Sequence, residues 1–336
     1  MYDNQLYTSG IYGVFITDWM LCCETPLAIR NGMRIGYKDK DQRKSRGMGL
    51  RFQWQLPQKG INKDNEVAVL HYGYEVTGDH LTSYHFVPPS SLRGALRSWT
   101  INHLVHQDYR REMSPPAKED QAKTEAYLAA VQRALADAKS GYQWIASLFG
   151  LAFDSRGAGD NLANAGRLKV ETERFNHAQP QPIAVNGKLD DGMAGPTNAL
   201  RQMTVRNPLD RVTHASKEGG LHHFLEFSPG EQFRVRLTIL NPRASDLGLI
   251  SLWRRELNAG LLRIGALSSI GRGRVSVNQE LYQLWLRPGA PQFDGLAIFL
   301  PDENLERDDV LAGLWQSYTL PDSSLDQFMT YLQEES

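Results

Sequence analysis

The chain has 336 residues and a formal net charge of -1 at pH 7. That length can bury a large core, as one elaborated domain or two small ones, and the balanced charge excludes a globally basic nucleic-acid binder while leaving room for a local basic face. Its two cysteines, Cys22 and Cys23, are adjacent in an apolar run and read as small buried hydrophobes rather than as a bridge or a metal site. No basic start leads into an apolar core and no apolar run has the length of a bilayer, so the expected compartment is the cytoplasm, with no membrane partner.

Residues 10–23 (GIYGVFITDWMLCC) read as a buried first strand. From 30 to 51 the character changes. Arg30, Arg34, Lys38, Lys40, Arg43, Lys44, Arg46 and Arg51 are interleaved with glycines and with only two acids, Asp39 and Asp41. No strand or helix period is read across it, and the expectation is a long basic loop that neutralises phosphates. Asp39 and Asp41 are either local charge partners or candidates to hold a divalent ion beside a scissile phosphate. Residues 67–76 (VAVLHYGYEV) read as another strand.

In FVPPSSLRGALRSW (86–99), Pro88 and Pro89 stop a strand and Ser90 or Ser91 is the expected N-cap of a helix. Arg93 and Arg97, four apart, share a face of that helix, and with the Ser-Ser start they make a candidate phosphate clamp. Residues 108–140 form an alanine-rich helical block expected on the outside, 141–150 ends in an apolar turn, and 167–175 is a strand. Met203 to Val205 and His222 to Phe227 are expected to pair as a protruding ribbon, with Arg206, Arg211, His214 and Lys217 near its tip. FRVRLTIL (233–240) alternates as a strand, and 246–262 is an amphipathic helix leading into a glycine loop.

That loop, RIGALSSIGRGRVSV (263–277), joins glycines Gly265, Gly271 and Gly273 to Arg263, Arg272 and Arg274. Cofactor loops run strand, glycines, helix, so that phosphate meets a helix N-terminus. Here the order is helix, glycines, strand. A nucleotide cofactor does not fit, whereas a polyanion lying across a sheet does. The last stretch, 281–336, carries only Arg287 and Arg307 against ten acids, and is expected to avoid RNA or to dock on a neighbour.

Four stretches together resemble the RAMP superfamily of CRISPR-associated proteins, the backbone subunits of type III effector complexes. They are PPSSLRGALRS (88–98), ASLFG (146–150) followed by GRLKV (166–170), VRNPLDRVTHASKEGGLHHFLEFSPGEQF (205–233) and IGALSSIGRGRVSV (264–277). Pro89 stands where that family commonly has glycine, and Glu171 near a common aspartate.

The resemblance implies an α+β fold with a modified RRM-like, ferredoxin-like core: a four-stranded antiparallel sheet with helices on one face. It implies a RAMP domain over 1–277, with a helical insertion at 105–142 and a thumb at 196–227, followed by an acidic extension at 278–336. The guide RNA backbone would meet Ser90, Ser91, Gly271 and Gly273, and the thumb would wedge between bases of the guide–target duplex. The guide is then held by shape and phosphate contacts, and sequence is read by base pairing. The implied partners are a CRISPR guide RNA, a complementary target RNA, other RAMP subunits and the large subunit of a type III complex. Asp39 or Asp41 would support target cleavage with a divalent metal such as Mg2+. The alternatives are a metal-independent ribonuclease that matures guide RNA through a histidine such as His214, and a subunit that binds RNA and cuts nothing.

Overall fold

The apolar alternation of the first strand sets the core. A computed structural model describes residues 10–39, 52–55, 66–77, 80–105, 121–137, 140–152, 163–173, 181–182, 201–206, 222–301 and 315–335. In chain order the strands begin with β1 (Gly13–Cys23), β2 (Arg30–Asp39), β3 (Phe52–Gln55), β4 (Glu66–Leu70), β5 (Tyr72–Thr77) and β6 (His80–His85). Three helices follow, α1 (Pro89–Leu104), α2 (Gln121–Ala136) and α3 (Tyr142–Phe149). Next come β7 (Leu151–Ala152), β8 (Ala163–Asn164), β9 (Leu168–Thr172), β10 (Gln181–Pro182), β11 (Arg201–Arg206), β12 (His222–Phe227) and β13 (Gln232–Leu240). The described residues close with α4 (Ala244–Ala259), β14 (Val275–Leu286), β15 (Leu300–Pro301), β16 (Gln316–Thr319) and α5 (Met329–Glu335).

The largest sheet runs β15-β16-β14-β1-β13-β9, and every pairing in it is antiparallel. Four of its neighbouring strands, β14-β1-β13-β9, connect through α1 and α4 as a βαββαβ unit. That is the expected ferredoxin-like α+β core, and β15 and β16 widen it by two strands. Phe15, Trp19 and Leu21 of β1 and Phe233, Val235, Leu237 and Ile239 of β13 are buried at alternate positions, as a sheet with one covered face requires. The helices lie on that face: α4 buries Leu247, Ile250, Trp253 and Leu257, and α1 buries Leu92 and Leu96. Burying each such side chain contributes about 1.5–3 kcal/mol. The Trp253 indole N–H donates to the Thr100 hydroxyl at 2.9 Å, which in turn donates to the Leu96 carbonyl at 2.8 Å, so the two helices are also joined by a satisfied polar chain. Cys22 and Cys23 alternate across β1, one half-buried and one buried, and both are free thiols.

Four expectations are corrected. Residues 30–39 are strand β2, not loop: Met33, Ile35 and Tyr37 alternate with Arg34, Gly36 and Lys38, and β2 pairs with both β3 and β4. Residues 142–149 form a helix where only a closing turn was expected; six residues of α3 are buried, and Gln143 and Ser147 form its polar side. Within the 105–142 insertion, Val131, Ala134 and Leu135 of α2 belong to the main core cluster, so this block is not an outer decoration. Finally, the boundary expected between 277 and 278 falls inside β14, which lies beside β1 throughout and carries buried Tyr282 and Leu284 beyond that point.

The C-terminal stretch is built in rather than set apart. Phe293, Phe299 and Phe328 pack in edge and tilted contacts with centroids 5.7–6.4 Å apart. A side chain at Gly248 of α4 would meet the Phe328 carbonyl at 2.4 Å, so only glycine lets the tail lie this close. Arg254 bridges Glu280 at 2.8 Å and Asp326 at 2.9 Å. Among the described residues no helix is long and apolar enough to cross a membrane.

One buried charge pair locks the helix layer to the sheet. Arg167, just before β9, meets Asp246 in the first turn of α4 in a bidentate pair with distances of 2.6 and 3.0 Å. The same carboxylate accepts the Trp144 indole N–H at 2.8 Å and the Arg243 backbone N–H at 2.8 Å. Arg167 also donates to the Asn241 carbonyl and the Ser147 hydroxyl, both at 3.0 Å. Burial alone pushes the Asp246 carboxyl up, but the Arg167 charge and these hydrogen bonds outweigh it and hold it below its ordinary value.

Candidate nucleic-acid interface

The glycine loop is fixed by its glycines and by the segment that leaves β1. Helix α4 ends at Gly260 in the left-handed conformation, a common helix stop. Gly265 (φ 84°) and Gly273 (φ 77°) press on backbone: a Cβ there would meet the Ala28 carbonyl oxygen at 2.6 Å and the Ile264 carbonyl oxygen at 2.0 Å. Gly271 (φ 89°) faces open space instead. Ala266 N–H donates to the Ala28 carbonyl at 2.8 Å and Gly273 N–H to the Pro26 carbonyl at 3.0 Å, which pins both ends of the loop to the chain after β1. Between them Leu267 adopts a left-handed φ of 65°, a strained conformation for a branched residue. Arg263 braces the turn from inside, donating to the Gly260 and Ser268 carbonyls, each at 3.1 Å.

Opposite this loop lies one face of α1. Ser91, Ala95, Ser98, Trp99, Asn102 and His103 recur at helical spacing along it. With Ala28, Ile29 and Arg30 behind and Leu261, Arg263, Gly265, Ala266, Ser268 and Ser269 in front, they enclose a groove of about 760 Å3. None of these lining residues is acidic, while Arg30, Arg263 and His103 are basic and the serines offer hydroxyls. The groove sits at the end of the sheet where β1 leaves and β14 enters. The uncovered sheet face is a poorer polyanion site, because its arginines are matched: Arg236 pairs with Asp18 at 2.7 Å and Arg234 with Glu173 at 3.6 Å.

The residues singled out from sequence divide three ways. Arg30 and Ser91 line the groove, and Ser90 is exposed at the helix start. Arg274 is exposed, its backbone N–H bonded to Thr25 Oγ1 at 3.0 Å and its side chain lying over Gly260. Gly271 and Gly273 shape the loop as described. A second group is drawn into the fold. The Arg93 guanidinium donates to the Phe149 carbonyl at the end of α3, and burial, then the like charge of Arg97, lower its pKa. Two residues on from Ser91, Arg93 is turned about 200° around the helix from it. Arg97 influences Tyr127 of α2 rather than lining the groove. Arg272 forms an ion pair with Glu226, which is fully buried on β12 and also accepts the Thr204 hydroxyl of β11. Arg34 pairs in β2 with Ala68, Arg206 in β11 with His222, and Asp39 closes β2 opposite Phe52.

The third group, Asp41, Arg43, Lys44, Arg46, Arg211, His214 and Lys217, lies outside the described residues. The helix start also differs from expectation. Pro88 is the N-cap, without a side-chain cap bond. The N–H groups of Ser91 and Leu92 both return to the Pro88 carbonyl, at 3.0 and 3.3 Å, so few donors are left for an anion there. Ser98, Trp99, Asn102 and His103 were not singled out from sequence. Their signal was a helix face of Ser91, Ala95, Ser98 and Asn102 lying between the more conspicuous arginines.

The fold and groove define an α+β protein of ferredoxin-like topology with a basic, hydroxyl-lined groove at one end of its sheet. A family model described as the RAMP superfamily matches residues 23–276. That is well over half of the chain, and the protein belongs to the RAMP superfamily. It is thus a CRISPR-associated RNA-binding subunit, a class that works with RNA and with other subunits of its kind. No curated protein matches the chain.

Proposed function

We propose that the protein is a backbone subunit of a type III CRISPR effector complex, holding guide RNA across the groove between α1 and the glycine loop. The observation that carries this reading is the groove: basic, free of acids among its lining residues, and braced by backbone bonds so that its shape is set before RNA arrives. Phosphates would meet Arg30, Arg263 and Arg274, giving affinity without sequence preference, while base pairing reads the target. The ribbon β11–β12, the base of the thumb, is joined to this site by the Arg272–Glu226 pair and by the reciprocal Leu27–Phe227 backbone bonds, at 3.1 and 2.8 Å. A thumb so anchored would keep its spacing from the guide.

The complex purified from its host should contain a short RNA of uniform length with a fixed 5′ end. That RNA should crosslink to peptides of α1 and the glycine loop. Assembled complex free of RNA overturns the reading. Cutting of the bound target is a separate part of the proposal, resting on Asp39 and Asp41 with a divalent metal such as Mg2+. Among the described residues no group of three or more His, Cys, Asp or Glu gathers as a metal site, and Asp41 lies outside them. Target cleavage at this subunit should stop with EDTA and with Asp39→Ala combined with Asp41→Ala. Unchanged cutting in the double variant removes these aspartates from the reaction.

A further inference from the structure

Two aromatic rings sit on the groove face of α1 in an arrangement that phosphate binding does not use. Trp99 and His103, four residues apart, stack with centroids 4.2 Å apart and planes 14° from parallel. The indole is half-buried and packs against the core, while the imidazole is exposed. His103 Nδ1 lies 2.7 Å from the Trp99 carbonyl oxygen. Because a carbonyl only accepts, this nitrogen carries the proton, and the bond holds the ring flat on the indole. The stack is therefore fixed from inside and open outside: one face of the imidazole rests on Trp99 and the other looks outward.

The geometry points to a nucleobase subsite: one unpaired base of the bound RNA turns into the groove and stacks on the outer face of His103. This rests on the RNA-binding reading and specifies what that site holds beyond a phosphate backbone. The groove is wide and open to one side, so a base can enter it from solvent. The neighbours fit as well. Ser98 lies on the same helix face, Ser268 and Ser269 present hydroxyls across the groove, and Arg30 and Arg263 supply positive charge for the flanking phosphates. A flat ring tolerates any base, so the site selects for an unpaired nucleotide rather than for a sequence.

The test compares full-length wild type with His103→Ala, His103→Phe and Arg263→Ala, using a labelled single-stranded RNA decamer and the same decamer made abasic throughout. Removing the stack should weaken binding of the ordinary RNA roughly 5- to 150-fold, with an unchanged salt slope, since stacking releases no counterions. His103→Phe should bind within a few-fold of wild type. Arg263→Ala should lower the salt slope by about one. On abasic RNA the difference between wild type and His103→Ala should vanish. The subsite is overturned if His103→Ala binds like wild type, or if its loss persists on abasic RNA or comes with a lower salt slope, which would mark the ring as a phosphate contact. Failure of wild type to bind either RNA would instead strike the RNA-binding reading itself.

Discussion

Removing the carboxylate of Asp246 should be among the most damaging single changes in this fold. Asp246→Ala strips four donors of their acceptor: both terminal nitrogens of Arg167, the Trp144 indole N–H and the Arg243 backbone N–H. It also leaves the Arg167 guanidinium, whose side chain is only 5% exposed, buried without this carboxylate. Breaking a buried pair from one side costs about 3–5 kcal/mol, a large part of a total stability of roughly 5–15 kcal/mol. With urea m-values of about 1–3 kcal/mol/M, the unfolding midpoint should fall by roughly 1–5 M. The double change Arg167→Met with Asp246→Leu removes both charges and should recover much of the loss, because apolar replacements of such pairs are often nearly neutral. The carboxyl is held below its ordinary value, so its contribution is complete above the unfolded pKa of about 3.9 and disappears as pH falls through the lower folded value. Urea melts between pH 7 and pH 2.5 should show wild type converging on the Ala variant only at the acid end. A loss below about 1 kcal/mol at pH 7, or a double variant no better than the single, would refute the assignment of Arg167–Asp246 as the lock of the helix layer.

Other predictions concern the groove. Gly273→Ala must displace the Ile264 carbonyl and should abolish RNA retention along with a clear drop in melting temperature, whereas Gly271→Ala, in open space, should cost only the roughly 1 kcal/mol of its left-handed backbone. Arg274→Ala should lower the salt slope of RNA binding by about one while leaving the melting curve in place. Arg93→Ala should do the reverse, since its guanidinium serves the Phe149 carbonyl; anisotropy titrations across salt concentrations separate the two. Guide maturation should survive His214→Ala, and its loss would favour the alternative of a metal-independent processing ribonuclease.

Much of the fold was legible because its signals were periodic. The strict alternation of β1 and β13 and the order of α4, glycine loop and β14 needed no tertiary knowledge. Where charge was conspicuous it misled. The arginines and lysines of 30–39 masked the alternation of Met33, Ile35 and Tyr37, and the i, i+4 spacing of Arg93 and Arg97 drew attention away from the groove face of α1, although Arg93 serves the Phe149 carbonyl. Spacing shows that two side chains share a face; only packing shows what that face meets. Likewise Arg272, read as free charge in a loop, is committed to Glu226 across a sequence separation that no local pattern reports. Helix α3 is only eight residues long, so its polar side, Gln143 and Ser147 against six buried residues, repeats too few times to stand out.

The backbone bonds from Gly273 to Pro26 and from Ala266 to Ala28 join chain positions made at opposite ends of synthesis. A nascent chain that has produced β1 and α1 owns two walls of the groove but not the third, which emerges only with the glycine loop. Contacts this distant in sequence form late and slowly. If the groove holds RNA as proposed, a truncation before the glycine loop should be unable to retain it however well its N-terminal strands are made.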